Sequence, residues 1–252
     1  MTQPALRGFT GPDVPSDSIY NQCIRCGLCL PTCPTYLETL TETSGPRGRI
    51  SLIKAVGEGQ LDLLSPGFVH QMSECLDCRA CEAVCPSGVH YGQLVETART
   101  QIQRASAPRP PVFLYLFRHL GAMRALATLL RFYQRSGLQA AVRATGILRA
   151  LKLTELEAMA PPVSPHFFSA RDQQLQTPGA TKTAFMHAGC IMPLAFAGVN
   201  DATVRMLRRA GCNVVIPSNQ GCCGAITVHA GDMPGGRNLA KRNIRAFEDS
   251  GA

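Results

Sequence analysis

The sequence predicts an α+β fold: a mainly helical N-terminal domain, a helical linker, and a partial α/β domain at the C-terminal end. Three observations predict it. Helical periodicity surrounds two dense cysteine runs, at 23–33 and 75–85. A segment between proline-rich stretches is basic and amphipathic. From Thr181 the pattern changes to β-α-β-loop-α, the order of a unit with parallel strands. The expected domains are 1–106, 107–180 and 181–252.

Bulk properties narrow the chemistry. The 252 residues, 45% hydrophobic and 17% charged, suit a globular chain with buried cores. No stretch reaches the roughly 18 apolar residues of a spanning helix, and the first twenty or so residues lack a signal-peptide core. A cytoplasmic chain is therefore expected. Thiols stay reduced there, so 12 cysteines argue for metal binding over disulfides. The net charge of +8 is local. Ten Arg or Lys and no Asp or Glu lie between Thr97 and Thr154, leaving 15 basic and 17 acidic residues elsewhere. No finger, basic zipper or RNA-binding motif accompanies that segment, so nucleic acid is not an expected partner.

The cysteines repeat. Cys23, Cys26, Cys29 and Cys33 recur as Cys75, Cys78, Cys81 and Cys85, 52 residues later, and Pro34 recurs as Pro86. This is C-x-x-C-x-x-C-x-x-x-C-P twice, the spacing of bacterial-type [4Fe–4S] ligation. Three thiolates two residues apart reach three corners of one cubane if the backbone curls around it. The cysteine before proline leaves the curl as the chain turns toward a helix. It therefore ligates the other cluster. The expected sets are Cys23, Cys26, Cys29 and Cys85 for one cluster, and Cys75, Cys78, Cys81 and Cys33 for the other. Structural zinc, the competing metal, favours paired knuckles over this curl. Gly27, Ala80 and Gly88 are small enough for backbone amides to approach sulfur and tune its potential.

The elements follow in order. "GRISLIKAVGEGQLDLL" predicts an amphipathic helix, with Ile50, Ile53 and Leu52 near Val56. "SPGFVHQMSEC" predicts another, capped by Ser65 with Pro66 in its first turn. "GQLVETARTQIQRAS" has helical periodicity too. In "GPRGR", Arg47 and Arg49 read as docking groups or as offsets to cluster charge; the alternative is a turn of Gly45, Pro46 and Gly48 with solvated arginines. "FLYLFRHLGAMRALATLLRFYQRSG" reads as a basic amphipathic helix with Arg124, Arg131 and Arg135 near one face. It packs on its own protein, or makes a peripheral contact with an anionic membrane or acidic partner. Residues 160–182 read as a second linker. In the C-terminal module, "TAFMHAGC" and "CNVVIPS" predict strands, and "NDATVRMLRRAG" a helix capped at Asn200 or Asp201. Cys190 and the Cys222–Cys223 pair follow strands, so they should converge where ligands collect in such sheets. Cys212 reads as a core cysteine. His187 and His229 lie close in sequence to these loops, as weaker candidates.

Together, "CIRCGLCLPTCPTY", "GPRGRISLIKAVGEG", "CLDCRACEAVCPSGVHYGQLVE", "AGCIMPLAF" and "QGCCGA" resemble the iron–sulfur subunit of glycolate oxidase (glycolate dehydrogenase) over nearly the whole chain. The last two stretches belong to that family's cysteine-rich CCG module. The resemblance implies an electron-transfer subunit with no catalytic residue of its own. An FAD-containing partner subunit would oxidise glycolate to glyoxylate, and electrons would pass through two clusters here to a quinone or other acceptor. The chain has no G-x-G-x-x-G, so the flavin is expected on the partner. The equivalent subunit of a lactate-utilisation, anaerobic glycerol-3-phosphate dehydrogenase or heterodisulfide reductase-like complex is the alternative. An iron- or oxygen-sensing scaffold is the alternative of another class. In this family the CCG module occurs twice and continues with further cysteines. The chain ends at Ala252, so it reads as a truncated or split member. Cys190, Cys222 and Cys223 are then a candidate additional iron–sulfur site without a complete ligand set.

Overall fold

The computed structural model describes residues 6–106, 112–170 and 173–252. The chain divides into two units: Met1–Pro110 with Gly224–Arg237, and Pro111–Cys223 with Asn238–Ala252. The sequence boundary at 181 places Gly224–Arg237 in the C-terminal domain, whereas its contacts group it with the N-terminal unit.

The first unit is helical. Its elements are α1 (Asp17–Tyr20), α2 (Pro34–Thr39), α3 (Pro46–Gly57), α4 (Pro66–Glu74), α5 (Ala80–Ala83) and α6 (Tyr91–Ser106). Three of them open on proline, which supplies the helical φ and lacks an N–H that would be unpaired there. The core is built from helical stripes. Ile50, Ile53 and Val56 of α3 meet Phe68 and Met72 of α4 and Tyr91, Leu94, Val95 and Ala98 of α6. Burying each large side chain contributes on the order of 2 kcal/mol. The "GPRGR" stretch is not a turn, because Pro46 opens α3 and Gly48 lies within it. A Cβ at Gly48 would collide with the Glu42 carbonyl, so glycine lets α3 lie against the 3₁₀ turn Glu42–Ser44.

The second unit joins helices to a small sheet. Its helices are α7 (Val112–Arg118), α8 (Leu120–Arg135), α9 (Leu138–Ala144), α10 (Ile147–Ala150) and α11 (Thr154–Ala158). The expected long basic helix is thus broken at His119, which leaves helical backbone geometry. Arg124 and Arg131 lie 5.3 and 4.3 Å from the centre of the Phe167 ring, so two of the three arginines pack on their own unit. Among the described residues no helix is long and apolar enough to cross a membrane.

The strands are β1 (Gln173–Leu175), β2 (Lys182–Phe185) and, after α12 (Met192–Ala195) and α13 (Ala197–Arg209), β3 (Cys212–Ile216). Strand order is β1-β3-β2. β2 runs parallel to β3, with Lys182 opposite Cys212, and β1 pairs antiparallel to β3, with Gln173 opposite Ile216. Residues 160–182, a linker by composition, contribute β1. It covers an edge that β3 would otherwise expose. Val214 and Ile216 pack with Met186, Ala188, Ala197 and Val204. Cys212 is half-buried and stands outside that cluster. The chain ends in α14 (Ala225–His229) and α15 (Met233–Glu248).

Candidate metal centres

Each cysteine run opens as a loop with the same backbone signature, and in the second the loop leads into α5, which carries Cys81. Arg25 and Gly27 have φ of 59° and 85°, and Asp77 and Arg79, 52 positions later, have φ of 52° and 58°. Left-handed residues at alternate positions stop each run from continuing as helix or strand and coil it into a loop. Gly27 adopts this freely, whereas the non-glycine residues each carry a cost of about 1 kcal/mol.

The loops form two cavities. Cys23, Cys26, Cys29 and Cys85 line the first, and Cys33, Cys75, Cys78 and Cys81 line the second. Each is therefore lined by three cysteines of one run and the last of the other, and Cys81 lines the first as well. Pro46, Cys81 and Tyr91 line both cavities and form a shared wall. The crossing cysteines leave their runs differently. Cys33 caps α2, with Pro34 at its first position. Pro86 opens no helix. Cys85 instead starts a turn closed by Gly88 N–H donating to its carbonyl at 3.2 Å, and α6 begins only at Tyr91.

The donor chemistry fits iron–sulfur clusters. All twelve cysteines are free, and each cavity offers at least four soft sulfur donors around atom-free space of ≈ 420 or ≈ 320 Å³ that opens to solvent. Several sulfurs already accept hydrogen bonds. Asp77 N–H and Tyr91 Oη donate to Cys75 Sγ, each at 3.4 Å, and Val89 N–H donates to Cys85 Sγ at 3.5 Å. Burial pushes the Cys81 thiol up to about 12 and raises Cys29 as well. A metal would have to displace those protons.

The arginines of "GPRGR" face different surroundings. Arg47 lines the first cavity, forms an ion pair with Glu42 and donates to the Arg25 carbonyl at 2.9 Å. Arg49 lines the second and is 1% exposed.

Three supports flank the runs, and of these the sequence marks only His229, as a weaker candidate. Thr35 Oγ1 lies 3.3 Å from Cys33 Sγ and donates to the Ser44 carbonyl at 2.8 Å. Arg99 Nε donates to the Met72 carbonyl at 2.8 Å, and Arg99 also reaches the Cys75 carbonyl, fixing the entry to the second run. His229 Nδ1 lies 2.7 Å from Asp77 Oδ2 and 3.4 Å from Glu96 Oε1. Arg79 Nη2 is 2.7 Å from Glu96 Oε1, so this acidic group already has a cationic partner. Tyr91 and Arg99 sit within the helical pattern of α6 and carry no separate sequence signal. Thr35 shares a first-turn position after Cys33 that composition does not mark.

In the C-terminal module Cys190 and Cys222 converge, their sulfurs 3.7 Å apart, while Cys223 is exposed. The loops after β2 and β3 are stapled by Gln220. Its Oε1 accepts from Ala188 N–H at 2.7 Å, and its Nε2 donates to the Met186 carbonyl at 3.2 Å. Asn243 donates to the Cys222 carbonyl at 2.9 Å and accepts from Gly221 N–H at 2.8 Å. The neighbouring Cys222 thiol, then burial, raises the Cys190 thiol far above its ordinary value. Asn200 is no helix cap. It lies one turn inside α13 and donates to the Ala188 carbonyl at 3.1 Å. His187 is held below its usual range by burial.

Comparison with known proteins joins these parts. Residues 19–89 match a 4Fe-4S dicluster domain, 106–161 the linker region of the glycolate oxidase iron-sulfur subunit, and 184–252 a cysteine-rich domain. The chain is 46% identical over 239 residues to a probable glycolate oxidase iron-sulfur subunit of Bacillus subtilis (strain 168), covering 90% of this chain and 53% of that one. It is 32% identical over 240 residues to the glycolate oxidase iron-sulfur subunit of Escherichia coli (strain K12), covering 92% and 53%. It is 24% identical over 229 residues to one of the subunits of a fumarate reductase (CoM/CoB) of Methanothermobacter marburgensis, covering 90% and 39%. No solved structure matches. The chain spans about half the length of the two glycolate oxidase relatives. With the dicluster, linker and cysteine-rich segments in this order, the chain belongs to the family of glycolate oxidase iron–sulfur subunits.

Proposed function

We propose that the chain is an iron–sulfur electron-transfer component of a glycolate-oxidising complex. In this reading Cys23, Cys26, Cys29 and Cys85 hold one [4Fe–4S] cluster, and Cys75, Cys78, Cys81 and Cys33 hold the other. The observation that carries the assignment is that each of two cavities is lined by three cysteines of one run and the last cysteine of the other, with Cys81 in the wall between them. When bound, the clusters supply two one-electron carriers. The chain's own residues bind and insulate them. Tyr91, Asp77 and Val89 aim hydrogen bonds at the thiol sulfurs, and the α3–α4–α6 core holds the shared wall in place.

The partner in this reading is an FAD-bearing subunit that oxidises glycolate to glyoxylate, with a quinone or other acceptor beyond it at the cytoplasmic membrane face. The linker match favours glycolate over lactate systems, since the similarity to lactate utilization protein A of Shouchella clausii covers only 61 residues. Exposed apolar side chains at Leu129, Phe132, Leu151, Leu156 and Met159 support docking through the linker helices. Cys190, Cys222 and Cys223 are a further thiol group whose three members fall short of a cubane's four ligands.

Anaerobic co-purification tests the whole. Expected are iron and acid-labile sulfide for two clusters, a bound flavoprotein, and paramagnetic resonance signals that appear when glycolate is added. Zinc in place of iron overturns the reading. Iron with reduction by lactate alone overturns the substrate.

A further inference from the structure

Arg49 is the structure's most anomalous charge. It lies on α3, four residues before Ile53 and seven before Val56, on the stripe that faces the core. Its side chain is fully buried. Nε donates to the Gln71 carbonyl at 2.7 Å and Nη1 donates to Thr35 Oγ1 at 3.0 Å. Nη2 is buried with no partner. Among the described residues no carboxylate forms an ion pair with it. A buried guanidinium without an anion is strongly disfavoured, and the group cannot escape by losing its proton.

The missing negative charge has a place beside Arg49. Arg49 lines the cavity of Cys33, Cys75, Cys78 and Cys81. Thr35 touches both Arg49 and Cys33 Sγ. Four thiolates around a cubane carry net negative charge in either oxidation state. Arg47 offers the first cavity no such cation, because it is partly exposed and already paired with Glu42.

We propose that Arg49 is the buried counter-cation of the second cluster, with Nη2 donating to its sulfur. This inference rests on the cluster assignment above. A fixed positive charge favours the more negative, reduced state. Arg49 therefore raises the reduction potential of the second cluster and leaves the first little changed. It is a positioning residue, acting on the cluster's electrostatics and not on substrate.

The test is a redox titration followed by paramagnetic resonance on the full chain, for wild type, Arg49→Met, Arg49→Lys and Arg47→Met. Arg49→Met should shift one of two midpoints to more negative potential, Arg49→Lys should shift it less, and Arg47→Met should leave it in place. Unchanged midpoints in Arg49→Met overturn the inference while the cluster assignment stands. A wild-type chain without two clusters overturns the assignment itself. Should Arg49→Met lose the second cluster, thermal unfolding of the metal-free chain decides. A counter-cation leaves the metal-free variant as stable as wild type or more so, because the unpaired charge is gone. A purely structural arginine lowers metal-free stability, and that result overturns the proposal.

Discussion

The two cysteine runs share spacing, trailing proline and left-handed positions, yet their surroundings differ. The first cavity is flanked by a partly exposed, ion-paired arginine. The second is backed by a fully buried arginine, and the phenol of Tyr91, which lines both cavities, donates to its Cys75 sulfur. The contrast separates two jobs. Spacing determines which atoms are within reach of a cluster. The helices behind the runs determine how strongly each charge state is favoured.

The crossing thiols give the largest way to break the comparison. If each cavity takes its fourth ligand from the opposite run, Cys33→Ala should strip mainly the cluster of Cys75, Cys78 and Cys81. Cys85→Ala should strip mainly that of Cys23, Cys26 and Cys29. Each variant should lose about half of the bound iron, with a different resonance signal surviving in each. Survival of the same signal in both would mean that the runs are not interleaved.

Much of this was legible in the sequence because ligation imposes fixed distances along the chain. The 52-residue repeat and the cross-wise sets need no knowledge of packing. Cys190 and Cys222 were legible for a related reason, since adjacent parallel strands deliver their following loops to one edge. What escaped depended on the third dimension. Arg49 is legible as a docking group or an offset to cluster charge, but its full burial in the core stripe of α3 and the cavity it lines are not. β1 is three residues, "QQL", without apolar alternation, and it exists because β3 offers a free edge. Pro86 repeats Pro34 in sequence and not in structure. Gly88, at φ 63°, turns the chain before α6 can start.

Tyr91→Phe sharpens the comparison by a smaller amount. Tyr91 lines both cavities, but its hydroxyl donates to Cys75 Sγ alone. Burial first, and the Cys75 thiol second, hold its phenol well above the ordinary range, so it stays a donor. Removing one such bond costs about 1 kcal/mol. In the loaded protein the second cluster's midpoint should move to more negative potential and the first should stay. Equal movement of both would show that Tyr91 acts through the shared wall and not through Cys75.

Asp13 supplies the smallest effect and a control that should leave both cavities alone. Its carboxylate pairs with Arg237 and with Arg104 Nη2 at 2.9 Å, binding the N-terminal segment to α6 and α15. The Arg237 hydrogen bond, with Arg104 adding to it, holds the Asp13 carboxyl below its ordinary 3.8. A depressed value in the folded state means that the pair stabilises the fold fully above 3.8 and loses that contribution as pH falls through the folded value. The arginines are partly exposed, at 54% and 34%, so solvent screens the pair and its worth is at most about 1 kcal/mol. Asp13→Asn should therefore lower the unfolding free energy of the metal-free chain at neutral pH and converge on wild type in acid, as denaturant titrations at several pH values will report. Both cluster midpoints should stay where they are. A shift in either would mean that the N-terminal segment helps set the electrostatics of the cavities, and that the contrast between Arg47 and Arg49 is not the whole difference between them.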